Sequence, residues 1–328
     1  MRDKILLKQL QALPLTAKVT MAEQRIMEWY KHWNGDVFVS FSGGKDSTVL
    51  ADLVHGIYPD VPLVFSNTGL EYPEIQSFAR KNGAEFIYPR MKFSEIISTY
   101  GYPLIGKEIA EAIQFARRIN DEKTRLRKRA ELLGERMMDG KKDQFNKEKW
   151  LPLATETQFP ISQYCCEVMK KAPMGKYKRR TKRMPITGAM ASESRMREQS
   201  WIRHGCNAFT EGHQHSQPLS LWTEQDVLLY VVKNKLEICS VYGEINQSED
   251  GCLHCSGCQR TGCVFCGFGC HLEKGETRFQ RLAKTHPKQY DYCMRGGAVG
   301  GQSKVRSVRS CYGRKLEELE SEKDMGSV

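Results

Sequence analysis

Asp36-Val37-Phe38-Val39-Ser40-Phe41 is a short, mostly apolar run, and an amphipathic pattern begins at Ser47 and continues to Ile57. Between them lies Ser42-Gly43-Gly44-Lys45-Asp46-Ser47. An apolar strand, a two-glycine turn and a helix start, in that order, constrain the chain more than any other stretch. The strand must be buried, the turn must be tight, and the helix must fold back over the sheet. Two glycines let the backbone turn with its N–H groups facing inward, and the helix adds the positive end of its dipole. The arrangement predicts a phosphate cradle. It is not a Walker A loop, which needs Lys-Ser/Thr after the second glycine of its spacing, and it is not a Gly-x-Gly-x-x-Gly fingerprint. A bare Gly-Gly pair would be a simple tight loop; the serines, the lysine and the placement after an apolar strand favour phosphate.

Downstream, residues 62–66 read as a second strand, 73–82 as a helix and 85–88 as a third strand. Strands alternating with short helices predict an α/β fold with a doubly wound parallel sheet. The length of 328 residues allows one large domain or two medium ones. A nucleotide-binding domain is expected over 1–235, with a charged helical insertion at about 107–150, and a cysteine-rich metal-binding region with a polar tail over 236–328. The mean hydropathy of −0.54 is that of a water-exposed globule, and no apolar run reaches the roughly 18 residues of a membrane span. The amino terminus lacks the pattern of a secretory signal, so a cytoplasmic location is expected.

The net charge of +11 is unevenly distributed. Residues 170–183 carry eight basic side chains, Lys170, Lys171, Lys176, Lys178, Arg179, Arg180, Lys182 and Arg183, and no acidic one. Such a run is either a solubilising surface or a contact for a polyanion such as nucleic acid. The twelve cysteines are also clustered, with none in residues 1–164 and seven between Cys252 and Cys293. In a reducing compartment they point to metal or thiol chemistry rather than disulfides.

The loop at 42–47 resembles the PP-loop of the ATP pyrophosphatase superfamily, whose signature is Ser-Gly-Gly-x-Asp-Ser. Three further segments resemble its phosphoadenylyl-sulfate reductase group. Phe65-Ser66-Asn67-Thr68-Gly69-Leu70-Glu71-Tyr72-Pro73-Glu74 is similar to the motif after the second strand, with Asn67 where Asp is usual. Ile186-Thr187-Gly188-Ala189-Met190-Ala191-Ser192-Glu193-Ser194-Arg195-Met196-Arg197 is similar to Gly-x-Arg-x-x-Glu-Ser-x-x-Arg, without its first Arg. Pro218-Leu219-Ser220-Leu221-Trp222-Thr223-Glu224-Gln225-Asp226-Val227 is similar to Pro-Leu-x-x-Trp-Thr-x-x-Asp-Val. The resemblance implies an adenine nucleotide alpha hydrolase-like fold that binds ATP or an adenylated sulfonucleotide. Ser42, Gly43, Gly44, Lys45, Asp46, Ser47, Thr68, Gly69 and Arg195 would contact the nucleotide. Lys45, Asp46, Glu193 and Arg197 would act in catalysis, with Asp46 a ligand for Mg²⁺ if the substrate is ATP.

Cys165-Cys166-Glu167-Val168-Met169-Lys170-Lys171-Ala172-Pro173 resembles the Cys-Cys…Lys-x-x-Pro element of the iron–sulfur branch of that group. There the pair joins a later Cys-x-x-Cys, here Cys263 and Cys266, to ligate a [4Fe–4S] cluster. Four thiolates also suit structural Zn²⁺, and buried reduced thiols are the third alternative. Cys252, Cys255, Cys258 and Cys270 leave open a second metal site or sulfur-carrying redox thiols. The reductases' Cys-Gly-x-His element is absent from the tail, where Cys311 lies in Ser310-Cys311-Tyr312-Gly313.

Three functions follow as expectations. The first is an iron–sulfur ATP pyrophosphatase that adenylates a nucleic-acid oxygen for sulfur transfer, served by a sulfur donor such as a cysteine desulfurase. The second is a reductase of adenylyl sulfate or its 3′-phosphate, served by thioredoxin, with its attacking thiol from Cys252, Cys255, Cys258 or Cys311. The third is a non-catalytic nucleotide-binding subunit.

Overall fold

The structure is a computed structural model and describes residues 2–117, 122, 123, 126, 150, 153, 154, 159–273 and 275–295. Ten strands lie among these residues: β1 (Val37–Ser40), β2 (Leu63–Ser66), β3 (Glu85–Ile87), β4 (Leu104–Ile105), β5 (Met184–Ile186), β6 (Asn207–Ala208), β7 (His215–Ser216), β8 (Ile245–Gln247), β9 (Leu253–Cys255) and β10 (Gly267–Phe268). The chain divides into two compact units, each assembled from separated segments. One is Met1–Tyr88 with Ala172–Gly262; the other is Pro89–Lys171 with the chain from Cys263 onward.

This division differs from the expected boundary at residue 235. Residues 236–262 belong with the first unit, because the β8–β9 hairpin is fastened to it. Gln225 donates to the Leu253 carbonyl at 2.8 Å and accepts from the Leu253 N–H at 2.7 Å. The expected insertion at 107–150 begins with the helix Lys107–Ala116. Its charged remainder lies almost wholly outside the described residues, as do the tail after residue 295 and Cys311.

The first unit is built on a six-stranded sheet in the order β3-β2-β1-β5-β7-β6. All neighbours pair in parallel except β6 with β7. Val39 of β1 lies opposite Leu63 of β2 and Ile186 of β5. The side chains of a strand alternate between faces, yet Val37, Phe38 and Val39 are all buried, so both faces of β1 are covered. Phe38 packs on Tyr177 of the helix Ala172–Thr181, with ring centroids 5.0 Å apart. The chain leaves β1 toward β2 and β3 on one side and toward β5 and β7 on the other. The end of β1 is therefore the point where strand order reverses, and where open parallel sheets form a crevice for ligands.

The Trp-Thr-x-x-Asp segment has a structural task. Thr223 caps the helix Glu224–Asn234, and Asp226 Oδ2 accepts from the Thr223 N–H at 2.7 Å and from its hydroxyl at 2.8 Å. The same oxygen accepts from Lys18 Nζ at 2.7 Å, on the helix Leu15–His32. Lys18 is 2% exposed, so its ammonium depends on this partner.

In the second unit β4 and β10 pair in parallel. Its core gathers Leu104, Ala110, Ile113, Phe159 and Ile161. The Arg117 guanidinium closes this core by donating to the carbonyls of Leu153, Ala154 and Phe159. Among the described residues no helix is long and apolar enough to cross a membrane.

Lys18→Met leaves the Asp226 carboxylate buried without its countercharge. The expected loss is about 3–5 kcal/mol of folding stability, read from urea denaturation midpoints. A shift below about 1 kcal/mol would show that the pair is dispensable.

Candidate functional site

The loop after β1 holds its shape through its own hydroxyls. The Ser42 N–H donates to Ser47 Oγ at 3.1 Å, and the Gly44 N–H donates to Ser42 Oγ at 3.3 Å. The hydroxyls of Ser47 and Thr48 donate to the Gly44 carbonyl at 2.9 and 3.0 Å. Gly43 has φ +69°, and a Cβ there would come within 3.0 Å of Ile75 Cγ2. Both backbone conformation and space thus demand glycine. The helix Lys45–Ile57 starts directly from this turn.

Lys45 is 3% exposed, and its ammonium is satisfied from within the first unit. It donates to the Gln259 carbonyl at 2.6 Å and pairs with Glu224 at 3.0 Å. Its backbone N–H donates to the Tyr242 hydroxyl at 3.2 Å, which lies 2.8 Å from Thr261 Oγ1. Asp46 is different, because its Oδ1 is buried with no hydrogen-bond partner among the described residues. Burial pushes the Asp46 carboxyl up from its ordinary range; Lys45, Arg260 and Arg197 oppose that rise and Glu224 adds to it. A buried acceptor left open beside a phosphate-shaped loop is a place for a cation.

The 186–197 segment meets the loop through its backbone. A Cβ on Gly188 would approach the Asp46 carbonyl to 3.0 Å. Glu193 accepts from the Met190 N–H at 2.8 Å and forms an ion pair with Arg197. Glu193 thus positions Arg197. Burial lowers the pKa of Arg197, as does the neighbouring positive charge of Arg260, while Asp46 raises it. Arg195 is exposed in the first turn of the helix Arg195–His204.

Thr68 and Gly69 lie just after β2, in a turn that is closed on itself. Thr68 donates to Glu71 from its N–H at 3.0 Å and its hydroxyl at 2.7 Å, and the Gly69 N–H donates to Asn67 Oδ1 at 2.9 Å. The structure therefore gathers Ser42, Gly43, Gly44, Lys45, Asp46, Ser47, Glu193 and Arg197 around one loop, and sets Thr68 and Gly69 at the end of the adjacent strand. Tyr242, Gln259, Arg260 and Thr261 were invisible as site residues in the sequence. They lie about 200 residues from the loop, and their only local signal was the neighbouring cysteines.

The four cysteines expected as metal ligands all belong to the second unit. Cys165 is buried and Cys166, Cys263 and Cys266 are half-buried. Burial pushes the Cys165 thiol up, and the negative charges of Cys263, Cys166 and Cys266 push it further, with Lys170 opposing. Cys266 is raised first by burial and also by Cys166. Cys165 and Cys266 thus feel the charge of neighbouring thiolates, the condition that a bound cation reverses. Among the described residues no three Cys, His, Asp or Glu side chains are drawn together closely enough to hold a metal ion. The donor set itself, four soft thiols in one neighbourhood, suits a [4Fe–4S] cluster or Zn²⁺. Of the remaining cysteines, Cys255 and Cys258 are buried in the first unit while Cys252 is exposed. Cys255 lies within electrostatic reach of Lys45, Glu224 and Asp46.

Comparison with known proteins follows this geometry. The family model described as "Phosphoadenosine phosphosulfate reductase domain" matches residues 36–94 and 104–267. The chain is 23% identical over 271 residues to an uncharacterized protein of Methanocaldococcus jannaschii, a match covering 82% of this chain and 49% of that protein. The chain thus spans about half the length of that relative. It is also 23% identical over 250 residues to an adenosine 5'-phosphosulfate reductase of Staphylococcus haemolyticus, covering 74% of this chain and 79% of that one. Among solved structures, the phosphoadenylyl-sulfate reductase of Candida auris in its phosphate complex aligns with a TM-score of 0.39 and 13% identity, over 75% of this chain and 96% of that one. The U34-tRNA thiolase NcsA of Methanococcus maripaludis with its [4Fe-4S] cluster aligns with a TM-score of 0.34 and 14% identity, over 88% and 82%.

Gly43→Ala forces a Cβ into a left-handed conformation against Ile75. It should cost about 1–3 kcal/mol, read from denaturation midpoints. An unchanged midpoint would mean that the loop adopts another conformation.

Proposed function

The chain belongs to the phosphoadenosine phosphosulfate reductase domain family, and from that premise we propose that it is an ATP pyrophosphatase that adenylates a nucleic-acid oxygen for sulfur transfer. The observation that carries this reading is the buried, unpartnered Asp46 Oδ1 at the loop. A carboxylate oxygen held open there suits the Mg²⁺ that accompanies ATP.

In this reading ATP lies with its diphosphate end on the loop. A substrate oxygen attacks the α-phosphorus, pyrophosphate leaves, and a sulfur nucleophile then displaces AMP. The ammonium of Lys45 and the guanidinium of Arg197 balance the charge that builds on the departing pyrophosphate. Glu193 holds Arg197 in place through their ion pair. Asp46 would hold Mg²⁺, which when bound neutralises diphosphate charge. Cys165, Cys166, Cys263 and Cys266 would hold a [4Fe–4S] cluster, which when bound supplies a soft, redox-capable centre for sulfur. Lys176, Arg179, Arg180 and Lys182 are exposed in the basic run, which supports a polyanionic acceptor, although Arg180 also pairs with Glu85. The reading implies a reducing, cytoplasmic setting and a donor that delivers sulfur, such as a cysteine desulfurase.

A second reading keeps the small substrate. It is favoured by the likeness to the staphylococcal adenosine 5'-phosphosulfate reductase and by the position of Cys255 within electrostatic reach of Lys45 and Asp46. Sulfite release from adenylyl sulfate in the presence of thioredoxin would establish it.

For the first reading, anaerobically prepared protein should form AMP and pyrophosphate from ATP and Mg²⁺ when DNA or RNA is supplied. Asp46→Asn should lower that rate at least about 100-fold. No pyrophosphate with either polymer would overturn it. Nucleic-acid affinity should also fall linearly with salt on a double-logarithmic plot, and a flat response removes the basic run from the argument. Separately, Cys166→Ser should abolish the brown colour and bound iron of anaerobic protein; retained iron excludes Cys166 as a ligand.

A further inference from the structure

Arg260 lies in the stretch that covers the loop. Its neighbours on both sides touch the loop machinery: the Gln259 carbonyl accepts from Lys45 Nζ at 2.6 Å, and Thr261 Oγ1 lies 2.8 Å from the Tyr242 hydroxyl that takes the Lys45 N–H. A Cβ on Gly44 would come within 3.5 Å of Thr261 Oγ1. Residue 260 is therefore held beside the loop from both flanks. Its side chain is exposed, and among the described residues no carboxylate forms an ion pair with it.

We propose that Arg260 is a phosphate-binding residue of this site, forming with Arg197 a pair of guanidinium groups beside Asp46 that grips pyrophosphate. The backbone contacts on either side set residue 260 beside the loop, and in keeping with that placement burial first and then the like charge of Arg260 lower the pKa of Arg197. Asp46 lies within electrostatic reach of both. Arg197 already has Glu193 as its partner, whereas Arg260 has no ion-pair partner among the described residues, so its guanidinium is the one left for an anion brought to the loop. Guanidinium forks engage two phosphate oxygens each, so a pair of them suits a diphosphate. The Lys45 ammonium reaches a phosphate only by exchanging its bonds to Gln259 and Glu224, whereas Arg260 gives up no ion pair. An exposed arginine away from any site would have no such neighbours.

The inference rests on the reading of the loop as a phosphate site. The probe is inorganic pyrophosphate with Mg²⁺, its binding to the whole chain measured by titration calorimetry, beside a urea denaturation midpoint for each variant. Arg260→Ala should weaken binding about 10- to 100-fold with an unchanged midpoint. Arg260→Lys, which keeps the charge and loses the fork, should fall between Arg260→Ala and the wild type. Arg260→Ala binding within twofold of the wild type would overturn the inference and leave the loop reading standing. Weaker binding accompanied by a lowered midpoint would make Arg260 a structural residue and overturn it as well. Wild-type protein that binds no pyrophosphate would overturn the loop reading itself, and the inference with it.

Discussion

A lysine ammonium that is 3% exposed obliges the chain to supply acceptors from wherever it can. Lys45 receives them from the Gln259 backbone and the Glu224 carboxylate. Glu224 opens a helix about 180 residues later, and Gln259 follows the buried Cys255 and Cys258. One buried charge therefore recruits two distant segments to the glycine loop. The same need accompanies the joining of residues 236–262 to the first unit. The hairpin they contain fills out the surroundings of Lys45 and brings Tyr242 onto its backbone N–H.

The cysteine neighbourhood of the second unit follows the opposite logic. Cys165 and Cys266 lie within electrostatic reach of neighbouring cysteines, with Lys170 opposing the rise at both and Arg278 at Cys266. Burial first, and the neighbouring cysteines after it, push the Cys165 and Cys266 thiols up. Such a group gains little from its own company and much from a metal that turns thiols into ligands. The first unit meets its buried charge with internal partners, whereas in the second neighbouring cysteines raise one another's thiols at Cys165 and Cys266.

Much of the fold was legible in the sequence, because it rests on local patterns. The apolar run at 36–41, the Gly-Gly turn and the following helix signalled β1, the loop and its helix, and the alternation downstream signalled a parallel sheet. Ser42, Lys45, Asp46 and Ser47 were legible because their chemistry is written in consecutive residues. The Thr223–Asp226 cap was legible as a motif, but its bond to Lys18 was not, since no pattern links residues so far apart. Tyr242, Gln259 and Arg260 escaped for the same reason. Gln259 contributes a backbone carbonyl, which no residue type advertises. The compact units divide at other places than the expected boundary at residue 235, which followed the density of cysteines, whereas the β8–β9 hairpin is fastened to the first unit through Gln225.

The bonds that Lys45 already makes have a thermodynamic consequence. A phosphate oxygen that takes the Lys45 N–H must release it from Tyr242, and one that takes the ammonium must compete with Gln259 and Glu224. Arrival of ligand is then an exchange of hydrogen bonds, one broken for each one formed, and it yields little net enthalpy. At Lys45 the gain must come from long-range charge attraction and from water released at the loop, terms that salt and temperature govern more than the number of contacts does.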